Sequence, residues 1–112
     1  MKGLQLHNKN TGRNGYPANL LKEDEKNLWS TGSWVVAHPE DVEVIRLFKD
    51  KSNRSLFGGK VVRFIEEARH AVNETDNPQI KIGIRFYFTA ESDQKGHMWL
   101  GNRRAEKAYF EL

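Results

Sequence analysis

The stretch QIKIGIRFYFTA, residues 79–90, has the most regular pattern in the chain, because apolar and non-apolar positions alternate along it. One face carries Ile80, Ile82, Ile84, Phe86 and Phe88, and the other carries Lys81, Gly83, Arg85, Tyr87 and Thr89. Strict alternation of this kind predicts a half-buried β-strand with its Ile/Phe side in the core. The opposite side is cationic and aromatic. It could contact a ligand, or it could be the solvated outer face of a barrel, and both interpretations fit the pattern.

Further strands are predicted on both sides of this one. Residues 42–48, VEVIRLF, alternate and predict a strand with one face largely buried. The strand 60–65 follows Gly58 and Gly59, and adjacent glycines at a strand entrance indicate a sharp turn, a bulge or a close approach to the backbone. Because cations flank the two glycines, we consider an anionic neighbour there. Residues 33–37 and 98–100 predict short strands, and 107–112 predict a closing strand.

Helices are expected to be few and short. Residues 18–29, ANLLKEDEKNLW, predict a short helix after the loop-rich segment 8–17, and 66–78 could hold a helical turn before Pro78. We therefore expect an α+β, mainly β fold: a small twisted sheet or pseudo-barrel of about five strands with one or two short helices. The 112 residues predict a single domain, in which 1–28 form a loop-rich N-terminal segment and 29–112 a barrel-like core.

Composition narrows the functional classes. The chain has no cysteine, which excludes disulfides, thiolate nucleophiles and cysteine-bound metals. No apolar run has the length of a membrane span, so we expect a cytoplasmic protein without a membrane partner. Motifs for a nucleophilic serine, a zinc protease or a P-loop are absent, and the four histidines are scattered. Glu66 and His70 have helical i,i+4 spacing but lack further ligands. We expect no enzyme, no cofactor and no metal.

Positive charge is concentrated in one segment. Residues 46–63 contain six cations against Asp50 alone, a net of +5, whereas the whole chain carries +3. Clustered cations favour an anionic partner, DNA or RNA first, although a solvated lysine-rich loop would have the same composition. The residues expected to bind nucleic acid are Lys49, Lys51, Arg54, Lys60, Arg63, Arg85, Tyr87, Arg103 and Arg104. The sequence does not establish whether these residues form one patch.

Aromatic side chains could supply flat surfaces for base stacking. The candidates for an aromatic pocket are Trp29, Trp34 and Trp99, for which core packing is the competing and favoured interpretation. Tyr87 lies opposite the Ile/Phe side of its strand. We therefore expect its ring to be exposed or to line a smaller cavity.

The order of these features resembles the PUA-like superfamily, in particular its EVE- and ASCH-type domains. Trp29, Gly32 and Trp34 come first, and the strand VEVIRLF, the glycine-led strand FGGKVVRF and the strand IKIGIRFYF follow. The resemblance covers residues 29–112 as a pattern of elements. It implies a small pseudo-barrel with an aromatic-lined pocket at one end, in which such domains receive RNA or modified DNA bases. The family's aromatic-Gly-x-Val feature, which is mainly structural, is matched by Phe57, Gly58, Gly59 and Val61.

From these observations we hypothesise that the protein is a nucleic-acid-binding module that recognises a modified or unpaired base through an aromatic pocket with a basic rim. The alternative is a small protein–protein interaction module, an inhibitor or adaptor that uses the same basic face. A hydrolase of the ASCH type would need a Lys/Glu/Thr arrangement that the sequence does not reveal. Dependence of binding on base identity distinguishes the first two hypotheses.

Overall fold

A computed structural model describes residues 2–8, 21–23, 27–49, 52–70, 80–102 and 107–111. These residues form a mixed seven-stranded sheet, in the order β2-β3-β6-β5-β4-β1-β7. The strands are β1 (Lys2–Asn8), β2 (Leu21–Lys22), β3 (Leu28–Ser30), β4 (Val44–Lys49), β5 (Phe57–His70), β6 (Ile80–Ala90) and β7 (Lys107–Glu111). The sheet is not closed, since β2 and β7 lie at its two edges. Two 3-10 turns, Pro39–Asp41 and Ser92–Gln94, are its only helical segments in the described ranges.

The longest pairing joins β5 and β6, which run antiparallel from Gly59 opposite Ala90 to His70 opposite Ile80. β4 pairs antiparallel with the first part of β5 only, from Phe57 to Lys60. β1 lies parallel to β4 and antiparallel to β7, and β3 pairs with the last part of β6. The β5–β6 ribbon therefore extends beyond β4 on one side.

The main core lies on one face of the sheet, where Ile84, Phe86 and Phe88 of β6 are buried as predicted. They pack in one cluster with apolar residues of β1, β4 and neighbouring segments: Leu4, Leu6, Val36, Val42, Ile45 and Leu47. Ile82 was expected in this core, but it is 59% exposed. It pairs with Ala68 in the part of the ribbon that extends past β4.

A second layer of packing covers the other face of β4. We predicted one largely buried face for β4, but both of its faces are buried. The buried residues are Val44, Ile45, Arg46, Leu47 and Phe48. The cover is the segment 92–102, which forms hydrogen bonds with the buried side chains of Gln5, Arg46 and Ser55. Arg46 Nε donates to Gln94 Oε1 (2.9 Å) and its guanidinium lies 4.0 Å from the Phe110 ring centre. Burial lowers the pKa of Arg46, and Asp93 opposes this shift.

Gly58 and Gly59 mark close approaches between strands. A Cβ on Gly58 would lie 2.3 Å from the Ile45 carbonyl oxygen, and one on Gly59 would lie 1.8 Å from the Thr89 carbonyl oxygen. The prediction of a close approach is therefore confirmed. The neighbour at each glycine Cα is a backbone carbonyl of this chain, rather than an anionic ligand.

Several predicted elements were wrong. Within the predicted helix 18–29, residues 21–22 and 28–30 are strands, and residues 66–70, expected in a helical turn, belong to β5. The short strands 33–37 and 98–100 are reduced to single bridges, Trp34 to Ile84 and Arg54 to Met98. β1 lies in the segment predicted to be loop-rich. The mainly β class is confirmed, with seven strands in the described residues instead of about five.

Two further findings complete the fold. The closing strand 107–112 is confirmed as β7. No helix in the described part of the chain is long and apolar enough to cross a membrane.

Candidate nucleic-acid interface

The face of the β5–β6 ribbon that points away from the main core carries the predicted basic residues of both strands. We call this the outward face, and its members are Lys60, Arg63, Ile65, Glu67, Gly83, Arg85, Tyr87 and Thr89. Lys60 is paired with Thr89, and Arg63 is paired with Tyr87, the next pair on this face after the intervening Val61–Phe88 pair. Both cations are exposed, whereas Tyr87 and Thr89 are half-buried.

A β-bulge places the two cations on the same face. Lys60 and Arg63 are three residues apart, so a regular strand would direct them to opposite faces. The register shifts between Val61 and Arg63, leaving Val62 as the extra residue. Val62 is 59% exposed. The extra residue brings Arg63 back to the side of Lys60, about 7 Å further along the ribbon.

Arg63 contacts the aromatic ring of its cross-strand partner, Tyr87. Its guanidinium carbon lies 4.3 Å from the centre of the Tyr87 ring, a cation–π contact. The guanidinium group therefore lies against the ring. A flat guanidinium can stack on a nucleobase and can also donate to a phosphate, which an ammonium group does only as a point charge.

Arg85 follows Tyr87 on the outward face, and its side chain already has hydrogen-bond partners. Its Nε and Nη2 donate to the Glu67 carboxylate at 2.9–3.2 Å, and its Nη1 donates to the Thr31 carbonyl oxygen at 2.7 Å. The hydrogen bonds from Arg85 lower the pKa of Glu67 despite partial burial. Arg85 thus ties β5, β6 and the segment after β3 together, and its charge is largely balanced.

The remaining predicted cations lie either away from the outward face or outside the described residues. Lys49 and Arg54 are exposed near the other end of β4, where Arg54 Nη1 donates to the Gly96 carbonyl oxygen (3.1 Å). The segment 92–102 lies between these two residues and the outward face, since Gln94 packs over Gly58. Lys51, Arg103 and Arg104 lie outside the described residues. Of the predicted cations in the described ranges, Lys60 and Arg63 are exposed on the outward face, whereas Lys49 and Arg54 are exposed away from it.

The three tryptophans take part in packing. Trp29 and Trp34 pack against the main core, and Trp29 contacts Phe57 edge to face at 4.9 Å between ring centres. Trp99 belongs to the segment 92–102 and packs on Phe48 (5.1 Å) and His7 (4.8 Å). All three are half-buried. A role in an aromatic pocket stays a prediction.

Among the surface cavities lined by described residues are three that have no tryptophan in their lining. The one next to the outward face, about 300 Å³, lies where β5 leaves β4 and is lined by Lys60, Val62, Arg63 and the carboxylate-bearing Glu40 and Glu43 among others. The largest, about 470 Å³, lies between β1, β7 and the 3-10 turn at 39–41. The third, about 280 Å³, includes Phe57 and Lys95.

One group of potential metal ligands was not anticipated from the sequence. His38, Glu40 and Asp41 bring their ligand atoms within 4.8 Å of one another. All three are exposed, as solvated groups at a turn commonly are, and nothing further in the described residues indicates a metal there.

The sequence carries a signal for the position of the bulge. Val61 and Val62 are adjacent apolar residues after two glycines, which breaks the alternation of a regular strand. The Arg63–Tyr87 contact had no local signal, since the two residues are far apart in sequence. Comparison of the chain with protein-family models, curated proteins and solved structures finds no match.

Proposed function

We propose that this protein binds nucleic acid through the outward face of the β5–β6 ribbon. The observation that supports this best is the position of two exposed cations, Lys60 and Arg63, on consecutive rungs of one face beside Tyr87. Lys60 contacts phosphate. Arg63 offers its guanidinium group to an unpaired base or to a second phosphate.

The shape of the ribbon suits this role. A two-stranded ribbon that extends from a sheet can approach a nucleic-acid backbone without a clash from the rest of the domain, and such ribbons also fit the major groove. The contact with Tyr87 restricts the rotamers of Arg63, so less side-chain entropy is lost when the guanidinium binds. Tyr87 is thus a positioning residue for Arg63.

Recognition of a modified base and membership of the PUA-like superfamily, with its aromatic pocket, are further parts of the proposal. They rest on the sequence resemblance alone. A cytoplasmic location belongs with them, supported by the absence of cysteine. The alternative function, a protein–protein module, uses the same basic face against an acidic protein.

The test compares two double variants of equal charge by fluorescence anisotropy with short single- and double-stranded DNA and RNA. Lys60→Ala/Arg63→Ala and Lys49→Ala/Arg54→Ala each lower the net charge from +3 to +1. We expect the first to weaken binding at least 10-fold. On single strands it should reduce the slope of log K against log salt by about 1.4, the value for two phosphate contacts. The second should retain most of the affinity.

Equal losses in both double variants would show a diffuse charge effect and contradict the proposal. No binding by the wild-type protein at low salt would also overturn it and favour the protein-partner alternative. Arg63→Lys gives a finer test, since it keeps the charge and removes the plane. We expect it to lose the preference for unpaired bases while keeping salt-dependent binding.

A further inference from the structure

Among the described residues, the β5–β6 ribbon has an edge without a paired strand. β4 leaves β5 after Lys60, and the last backbone contact on that side is the hydrogen bond from the Val61 N–H to the Glu43 carbonyl oxygen (2.8 Å). Within the described ranges, no strand pairs with residues 62–70 on the side opposite β6. An open edge of this length is a template for another strand.

The backbone groups that point to this edge can be identified. On β6, Ile84 exchanges both of its backbone hydrogen bonds with Trp34, and the Phe86 carbonyl oxygen accepts from the Thr31 N–H. Ile84 and Phe86 therefore direct their N–H and C=O groups away from β5. Their partners across the ladder, Glu66 and Phe64, are in non-hydrogen-bonded pairs and direct theirs to the free edge.

We propose that this edge pairs with the same edge of a second copy of the chain, antiparallel about a two-fold axis at Ile65. This inference goes beyond nucleic-acid binding and does not depend on it. Each copy contributes residues 62–68. Phe64 of one copy exchanges two hydrogen bonds with Glu66 of the other, so the four backbone groups identified above on each copy are satisfied.

The charges of the side chains that face each other favour this register over the neighbouring ones. With Ile65 on the axis, Arg63 of each copy lies opposite Glu67 of the other on the outward face, and opposite charges across strands are favourable. Ile65, which is 39% exposed in one copy, then packs against its symmetry mate. Placing Glu66 or Glu67 on the axis would set identical carboxylates against each other. Placing Phe64 there would leave Arg63 opposite Ile65, without a charge partner.

The register predicts a specific cross-link. The chain has no cysteine, so Ile65→Cys introduces a single thiol that meets its own copy across a non-hydrogen-bonded pair. The Cα separation of such pairs, about 4.5 Å, allows a disulfide. Ile82→Cys is the matched control, because Ile82 is an exposed aliphatic residue of the same ribbon on β6. We expect mild oxidation of dilute protein to give a disulfide-linked dimer at least 10-fold faster with Ile65→Cys.

The second test measures dimer formation by sedimentation velocity, without cysteine variants or cross-linking. We expect a concentration-dependent dimer whose Kd rises at least 10-fold in Ile65→Lys and less than 2-fold in Ile82→Lys. Glu66→Pro, which removes an N–H that faces away from β6, should also give a folded monomer. A wild-type monomer at all concentrations, or equal cross-linking of the two cysteine variants, would overturn the proposal.

Discussion

At Gly59 the structure leaves no room for a side chain. Gly59→Ala would bring a Cβ to 1.8 Å from the Thr89 carbonyl oxygen, and because the obstacle is backbone, β5 and β6 would have to separate. We expect a loss of at least about 3 kcal/mol in the free energy of unfolding, measured by urea denaturation.

Gly96→Ala is the control for this substitution. Gly96 has open space around it but a φ of +83°, so the cost should be about 1–2 kcal/mol from backbone strain alone. Equal losses in the two variants would mean that close approach of the strands does not require Gly59.

The Arg85–Glu67 pair should make stability depend on pH. The pKa of Glu67 is lowered by Arg85, so the pair stabilises the fold above the ordinary glutamate pKa and loses this contribution as pH falls through the lowered value. Glu67→Gln should cost about 1 kcal/mol at pH 7. The difference from wild type should shrink below about pH 4 in urea denaturation series. A difference that stays constant from pH 7 to pH 3 would contradict this role.

Residue-level features were partly visible in the sequence. The alternation around Ile84 correctly predicted burial of Ile84, Phe86 and Phe88, because period-two burial is a local property of a strand, but it wrongly placed Ile82 in the core. Burial of Arg46 was not predictable. It depends on Gln94 and Phe110, which approach from distant parts of the chain and satisfy a side chain that the local pattern would place in solvent.

At the scale of the element, the bulge in β5 explains how two cations three residues apart share a face. Deleting Val62 should restore a regular ladder and keep Lys60 and Arg63 on the outward face, because Val62 is the unpaired extra residue. We expect the variant without Val62 to fold and to retain nucleic-acid binding within about 3-fold of wild type, as a regular rung leaves the phosphate contacts in place.

Deletion of Ile65, another exposed aliphatic residue of β5, is the matched comparison. It moves Glu66 and the residues after it to opposite faces, so Glu67 leaves the side of Arg85. We expect it to lower the melting temperature more than deletion of Val62 does. The reverse order would show that the bulge itself is required for the fold.

The helix predicted for residues 18–29 failed for a tertiary reason. Leucines among charged residues suit an amphipathic helix, but Trp29 is held in the β3–β6 pairing opposite Phe88. β1 was missed because Gly3 interrupts a short run of alternating residues. Its conformation is fixed by β4 and β7, and the ring of Phe110 occupies the space above Gly3.

For the whole molecule, the class of fold was predictable and the strand order was not. Alternation reports whether a segment is a strand, whereas the parallel contact of β1 with β4 joins segments about forty residues apart and leaves no periodic trace. The same limit applies to the candidate site. Composition indicated a basic segment, but the position of the segment 92–102 separates Lys60 and Arg63 from Lys49 and Arg54.

The most direct test of nucleic-acid binding by the outward face is an NMR titration of the ¹⁵N-labelled protein with a short single-stranded DNA. We expect the largest amide shift changes at residues 60–65 and 85–89, with residues 52–55 and 96–99 nearly unchanged. Changes concentrated at residues 52–55, or no saturable changes at low salt, would contradict the claim that the β5–β6 ribbon is the binding surface.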